Sequence, residues 1–144
     1  MFIERGHFAK TQFLLEKGLD VAVLRRRVIA DNIANVDVPH FKRSEVSYEA
    51  QLRRALDHEE YVKRNEVPAK LTDIRHIPFF RAMDYREVKP RTHIDYLTTM
   101  RNDGNNVDPE HELTEALKNQ LAYQAITNAL NNNFRALNIV MRLA

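Results

Sequence analysis

Apolar residues along the 144-residue chain recur in two long helical registers, separated by a region that has none. In the first register Leu15, Leu19, Ala22, Ile29, Ile33 and Val36 fall on alternating steps of four and three, with Arg26 the one charged residue in the series. That spacing lines one stripe of a helix and predicts a helix from about Lys10 to Val36. Val21, Leu24 and Val28 widen the apolar surface beyond a narrow stripe. Asp37-Val38-Pro39 ends the helix, because proline disfavours helical geometry in the residue before it.

The second register begins at Asp108. Its side chain suits an N-cap, Pro109 suits the first helical position, and Glu110 and Glu112 favour the positive end of the helix dipole. Ala116, Gln120, Tyr123, Thr127, Leu130, Phe134, Leu137 and Met141 then form a heptad stripe. Leu117, Leu121, Ala125, Ile139 and Leu143 make a second apolar strip to one side. A helix with two strips can be buried in a bundle, or can face a partner in another chain.

Residues 40–107 read differently. Pro39, Pro68, Pro78 and Pro90 fall within this region or at its edge, and charged residues are dense. Val46, Leu52, Ala55 and Leu56 have rough helical spacing and predict helix over 44–63, with a short extended segment at Tyr85–Val88. The fold class expected is mainly α. Two long terminal amphipathic helices form an antiparallel coiled-coil pair with an irregular, partly extended middle. Segments 1–39, 40–107 and 108–144 together make one domain. Two paired helices leave half of each apolar surface wet, and exposed apolar surface of that size marks an interaction site. Self-association is the simplest way to cover it.

Composition removes most other classes. The chain has no cysteine, which excludes a disulfide scaffold, a zinc ribbon and a thiol nucleophile. Three scattered glycines cannot write a phosphate-cradling loop. No stretch approaches the apolar length that crosses a bilayer, and the N-terminus lacks the pattern of a cleaved signal. Net charge is +2, with 22 basic and 20 acidic residues interleaved along the chain. Arg25, Arg26 and Arg27 point about 100° apart on a helix, so they form no phosphate clamp, and no nucleic-acid partner is expected. Asp73 and His76 could share a face, but a zinc site needs at least three protein ligands. No catalytic group, cofactor or small-molecule substrate is expected, and the chain reads as a non-enzyme.

Asparagine is the odd feature. Asn32 and Asn35 lie near the end of the first helix, Asn102, Asn105 and Asn106 precede the last, and Asn131-Asn132-Asn133 lie within it. Asparagine is a poor helix former whose amide competes for backbone groups. The first pair reads either as helix capping and a turn, or as amide hydrogen bonds between packed chains that set register.

Val28-Ile29-Ala30-Asp31-Asn32-Ile33-Ala34-Asn35-Val36-Asp37-Val38-Pro39-His40-Phe41-Lys42 resembles the N-terminal signature of the flagellar rod, hook and hook-cap-junction proteins. In that family a long helix ends in a stretch like A-N-N-I-A-N-x-x-T-x-G-Y/F-K. Asn32, Ile33, Ala34, Asn35, Phe41 and Lys42 match. Asp31 stands for a frequent asparagine, Val38 for threonine and His40 for the usual glycine. Asn106-Val107-Asp108-Pro109-Glu110, followed by Leu113, Asn119, Leu121, Tyr123 and Gln124-Ala125, resembles the start of the C-terminal helix in the flagellar basal-body rod protein family. The short length and the stretch Leu71–Ile77 are similar to its proximal-rod type.

The resemblance implies a structural subunit of the proximal rod, the drive shaft of the basal body. It implies export from the cytoplasm through the flagellar type III apparatus, without a cleaved signal, to the periplasmic rod. Its implied partners are other proximal-rod subunits, the rod–MS-ring junction protein and the export gate. The assembly interface expected on this basis comprises Leu15, Leu19, Ala22, Ile29, Asn32, Ile33, Asn35, Phe41, Tyr123, Leu130, Phe134, Leu137 and Met141. The alternative is a small helical adaptor or chaperone that binds a partner helix.

Overall fold

The structure is a computed structural model that describes residues 5–64, 73, 75, 76 and 84–143. Among the described residues five elements follow one another: α1 (Arg5–Ala34), β1 (Ser44–Ser47), α2 (Glu49–Arg64), β2 (Arg91–Ile94) and α3 (Pro109–Leu143). The mainly helical fold with two long terminal helices is as the apolar pattern predicts. The middle departs from it in detail. Helix was expected from residue 44, but Ser44–Ser47 are extended and α2 starts at Glu49. The reason is local: the Asn32 amide holds both backbone groups of Ser44, accepting from its N–H at 3.0 Å and donating to its carbonyl at 2.9 Å. The extended segment expected at Tyr85–Val88 is instead a turn. Asp84 accepts from the Arg86 and Glu87 amides at 2.9 Å each, through its side chain and its carbonyl respectively. The second strand lies a few residues later, at β2. Most of the Leu71–Ile77 stretch falls outside the described residues.

The chain divides into two compact units, Met1–Val46 with Thr92–Ala144, and Ser47–Arg91. Among the described residues of the second unit the buried apolar ones are Tyr48, just before α2, and Ala55 on it, with Tyr85 and Val88 in and just after the turn.

In the first unit α1 and α3 pack antiparallel. Asn32 meets Glu112, Ala22 meets Asn119, and Gly18 lies against Ile126, so one index rises as the other falls. A Cβ built on Gly18 would stand 3.2 Å from Ile126 Cδ1, which marks a close helix approach. Among the described residues of this unit Val21, Ala22, Val28, Ile29, Val107 and Leu130 are the buried apolar ones. β1 and β2 pair antiparallel, with Glu45 facing His93 and the Asp95 amide donating to the Arg43 carbonyl at 2.9 Å.

The face that α3 turns to α1 is not the heptad stripe read from its apolar residues. The seam runs through Glu112, Ala116, Asn119, Ile126, Leu130 and Asn133, all buried or half-buried. Ala116, Thr127 and Leu130 of the expected stripe lie in or beside it, whereas Gln120, Tyr123, Phe134, Leu137 and Met141 are exposed. The physical reason is that three seam positions, Glu112, Asn119 and Asn133, are polar, the first two deeply buried. Glu112 and Asn119 are only 1% and 7% exposed, and a search for apolar periodicity passes over both.

Candidate functional site

The signature at the end of α1 builds a polar joint. Asn32 is 1% exposed and uses its whole amide: besides Ser44, its Nδ2 donates to Glu112 Oε2 at 3.0 Å. Glu112 is the largest fully buried side chain among the described residues, and a buried carboxylate requires a cation and hydrogen bonds. Arg43 Nε supplies the cation on the other carboxylate oxygen. The same guanidinium reaches Glu45 through Nη1 and lies 3.3 Å from His111 Nε2 through Nη2. Burial opposes the Arg43 charge. The hydrogen bonds and fields of Glu112 and Glu45 outweigh it and hold the guanidinium above its ordinary pKa.

The four carbonyls at the end of a helix need donors. Asn105 provides one donor group for three of the carbonyls at and after the end of α1, with Nδ2 at 3.1, 3.0 and 2.9 Å from those of Asn35, Val36 and Val38. Arg101 Nη1 donates to Val36 O at 2.8 Å, placing a cation where the helix dipole is negative. Asn35 Nδ2 bonds the Asp31 carbonyl at 2.7 Å, so of the two readings of the asparagine pair, Asn35 caps its own helix. Asn32 reaches across to other elements of the same chain. Asn106 completes the joint, accepting from the Arg43 amide at 2.6 Å and donating to the Asp95 carbonyl at 2.9 Å.

The turn between α1 and β1 carries the position where the signature normally has glycine. His40 has φ 61°, in the left-handed region that glycine adopts freely. Gly104, at φ 80°, packs against the His40 ring.

The expected interface residues divide by burial. Ala22, Ile29, Asn32 and Leu130 lie inside the hairpin; Leu15, Leu19, Ile33, Asn35 and Phe41 are half-buried. Tyr123, Phe134, Leu137 and Met141 are exposed on α3 at 41%, 50%, 37% and 66%. Leu113, Leu117, Leu121, Ile139 and Val140 are exposed as well, which gives α3 a long apolar surface outside the pair. Arg43, Asn105, Glu112 and Asn119 did not emerge from the sequence as site residues. For Glu112 and Asn119 the signal is polar identity at positions that share a helix face with Ala116, Ile126 and Leu130; Arg43 and Asn105 lie in connecting segments and carry none.

Among the described residues no group of three His, Cys, Asp or Glu could hold a metal. Asp73 and His76 are joined through a turn, with the His76 amide on the Asp73 carbonyl at 3.1 Å. No helix among the described residues is long and apolar enough to cross a membrane.

No family model matches the chain. Curated relatives do, over nearly their whole length. A flagellar basal body rod protein FlgB of Borrelia hermsii is 43% identical over 133 residues, 90% of this chain and 93% of its own. Those of Borreliella burgdorferi and Bacillus subtilis are 40% and 32% identical, covering 86% and 93% of this chain and 90% and 95% of theirs. These names describe components of a structure, not enzymes. With identities of this size over most of each chain, the chain belongs to the FlgB family of flagellar basal body rod proteins.

Proposed function

We propose that this chain is a subunit of the proximal rod that self-assembles through its terminal helices into the drive shaft. It reaches the periplasmic rod through the flagellar export gate without a cleaved signal, and its neighbours are other proximal-rod subunits and the rod–MS-ring junction protein. The observation that carries the reading is the outer surface of α3. Tyr123, Phe134, Leu137 and Met141 keep much of their area in water, though burying each fully is worth roughly 1.5–3 kcal/mol. A helix packed on one side and apolar on the other is built for a second partner. Of the residues expected at the interface, those on the outside of the hairpin meet neighbours. Ala22, Ile29, Asn32 and Leu130 shape the hairpin that presents them.

A chain ending at Asn133 tests this reading. It keeps the joint and loses Phe134, Leu137 and Met141, together worth on the order of 5–9 kcal/mol of burial before entropy is counted. Such a chain should be made and secreted, yet build no rod and support no hook. Electron microscopy of basal bodies from a strain carrying only that chain decides the matter. Complete rods and hooks would refute the reading, and they are what an adaptor role requires.

A further inference from the structure

The loop that joins β2 to α3 is held like a pedestal. Asp95 Oδ1 accepts from the Leu97 and Thr98 amides at 3.0 and 3.3 Å, and Oδ2 accepts from the Thr98 hydroxyl at 2.6 Å. Asn106 Nδ2 donates to Thr98 Oγ1 at 3.0 Å. Lys42 Nζ donates to the Thr98 carbonyl at 3.0 Å and to Thr99 Oγ1 at 3.3 Å. The Met100 amide donates to the Asn105 carbonyl at 3.2 Å.

This scaffold displays apolar side chains and buries none of them. Tyr96, Leu97 and Met100 are 70%, 97% and 71% exposed. Ordering a loop costs conformational entropy, and a leucine held in water returns nothing for it within the isolated chain. The arrangement makes sense as a preorganised knob, whose ordering cost is met before a partner arrives.

α3 carries a matching surface. Leu113, Leu117 and Leu121 follow at four-residue steps, so they share one face, and each is more than half exposed. Glu110 lies at the N-terminal end of that stripe. Its carboxylate has no ion-pair partner among the described residues, and Lys42, at the foot of the knob, touches no carboxylate among them.

We infer that residues 95–100 of one copy seat on the Leu113–Leu121 stripe of a second copy, with Lys42 brought towards Glu110. The two surfaces complement each other in both apolar character and charge. Because they are different patches of one chain, the contact is heterologous. It propagates from copy to copy and does not close as a symmetric pair would. The inference rests on the rod reading, and it names a contact outside the α1–α3 pairing.

The absence of cysteine makes the test clean. Flagellated cells whose only copy carries Leu97→Cys with Leu117→Cys are oxidised and their basal bodies blotted for this chain. A ladder of linked species from the pair, with monomer alone from either single variant, is the expected result. Leu97→Ser should lower the recovery of this chain in basal bodies by about tenfold or more, the effect of losing one buried leucine. Swimming cells whose pair variant gives no linked species would overturn the contact and leave the rod reading standing. Linked dimers from Leu97→Cys alone would overturn it too, in favour of a symmetric pairing. Complete rods in a strain that lacks the chain would overturn the rod reading itself.

Discussion

Asn32 Nδ2 donates to Glu112 Oε2 at 3.0 Å across the seam between α1 and α3, joining two residues 80 positions apart in the chain. The bond ties the Asn-Ile-Ala-Asn core of the N-terminal signature to the first turns of the C-terminal helix. It is also one of several polar contacts that fix how far one helix slides along the other. Apolar side chains alone tolerate slippage, whereas a buried amide and carboxylate are satisfied in one register.

Substitutions at the ion pair should show how much depends on it. Arg43→Met leaves Glu112 buried without its cation, which should cost about 3–5 kcal/mol. Removing both charges, Arg43→Met with Glu112→Leu, should recover a large part of that loss. Urea denaturation of the four proteins in a double-mutant cycle measures the coupling, and additive losses would contradict it.

Asn32→Leu should destabilise the hairpin by about 2–4 kcal/mol. It removes three hydrogen bonds and leaves Ser44's backbone groups and one Glu112 oxygen unsatisfied. Far-ultraviolet circular dichroism followed with urea reads the loss. A change under 0.5 kcal/mol would mean that the joint is not a stabilising feature.

His40 and Gly104 should behave as a coupled pair. A Cβ on Gly104 would stand 2.6 Å from His40 Nδ1, and the residue sits at φ 80°, so Gly104→Ala should cost about 1–3 kcal/mol. His40→Gly relieves its own left-handed backbone and should be neutral or stabilising by up to about 1 kcal/mol. In that background the cost of Gly104→Ala should shrink, because the ring it meets is gone. Thermal unfolding of the single and double variants checks the non-additivity.

Acid should loosen the knob. The Thr98 hydroxyl, then the Leu97 and Thr98 amides, hold the Asp95 carboxyl below its ordinary value of 3.8. A group whose pKa is depressed on folding adds stability that is present above the unfolded pKa and is lost as pH falls through the folded one. Residues 95–100 should therefore stay ordered at neutral pH and lose order below the normal carboxylate range. Thr98→Ala should move the Asp95 titration, followed by carbon-detected magnetic resonance, back towards that range. An unchanged titration would remove the hydroxyl as the cause.

Amide exchange should grade along the hairpin. Val21, Ala22, Val28 and Ile29 line the buried part of α1, whereas every described side chain from Phe134 to Arg142 is exposed. Protection should be strongest around 21–32 and 107–130, and should fall off beyond Asn133. Uniform protection to the end of α3 in a monomer would require a contact that the hairpin does not provide.

Local signals made the two helices readable in the sequence. Asp108 caps α3 by accepting from the Glu110 amide at 3.0 Å, as its position before Pro109 suggested. The end of α1 was legible for the same reason. The seam was not, because Glu112 and Asn119 occupy positions where a search for apolar residues finds nothing, while Leu113, Leu117 and Leu121 advertise a face that stays largely in water. Burial of Glu112 depends on Arg43, far away in sequence, and such pairing has no local signature. β1 was missed because its extended form is imposed by Asn32 and by β2, with no strand pattern of its own.

The sealing of α1 by Asn105 and Arg101 has a mechanical consequence. With the carbonyls just past its last turn tied to the segment that leads into α3, the hairpin is clamped at that end, while the described side chains of α3 beyond Asn133 stand exposed like the tips of a fork's tines. A clamped beam is stiffest at its root and most compliant at its tip. In the proposed rod, torque delivered near residues 32–43 and 101–112 should pass between the two helices with little twist, while the tips bend to follow whatever they touch.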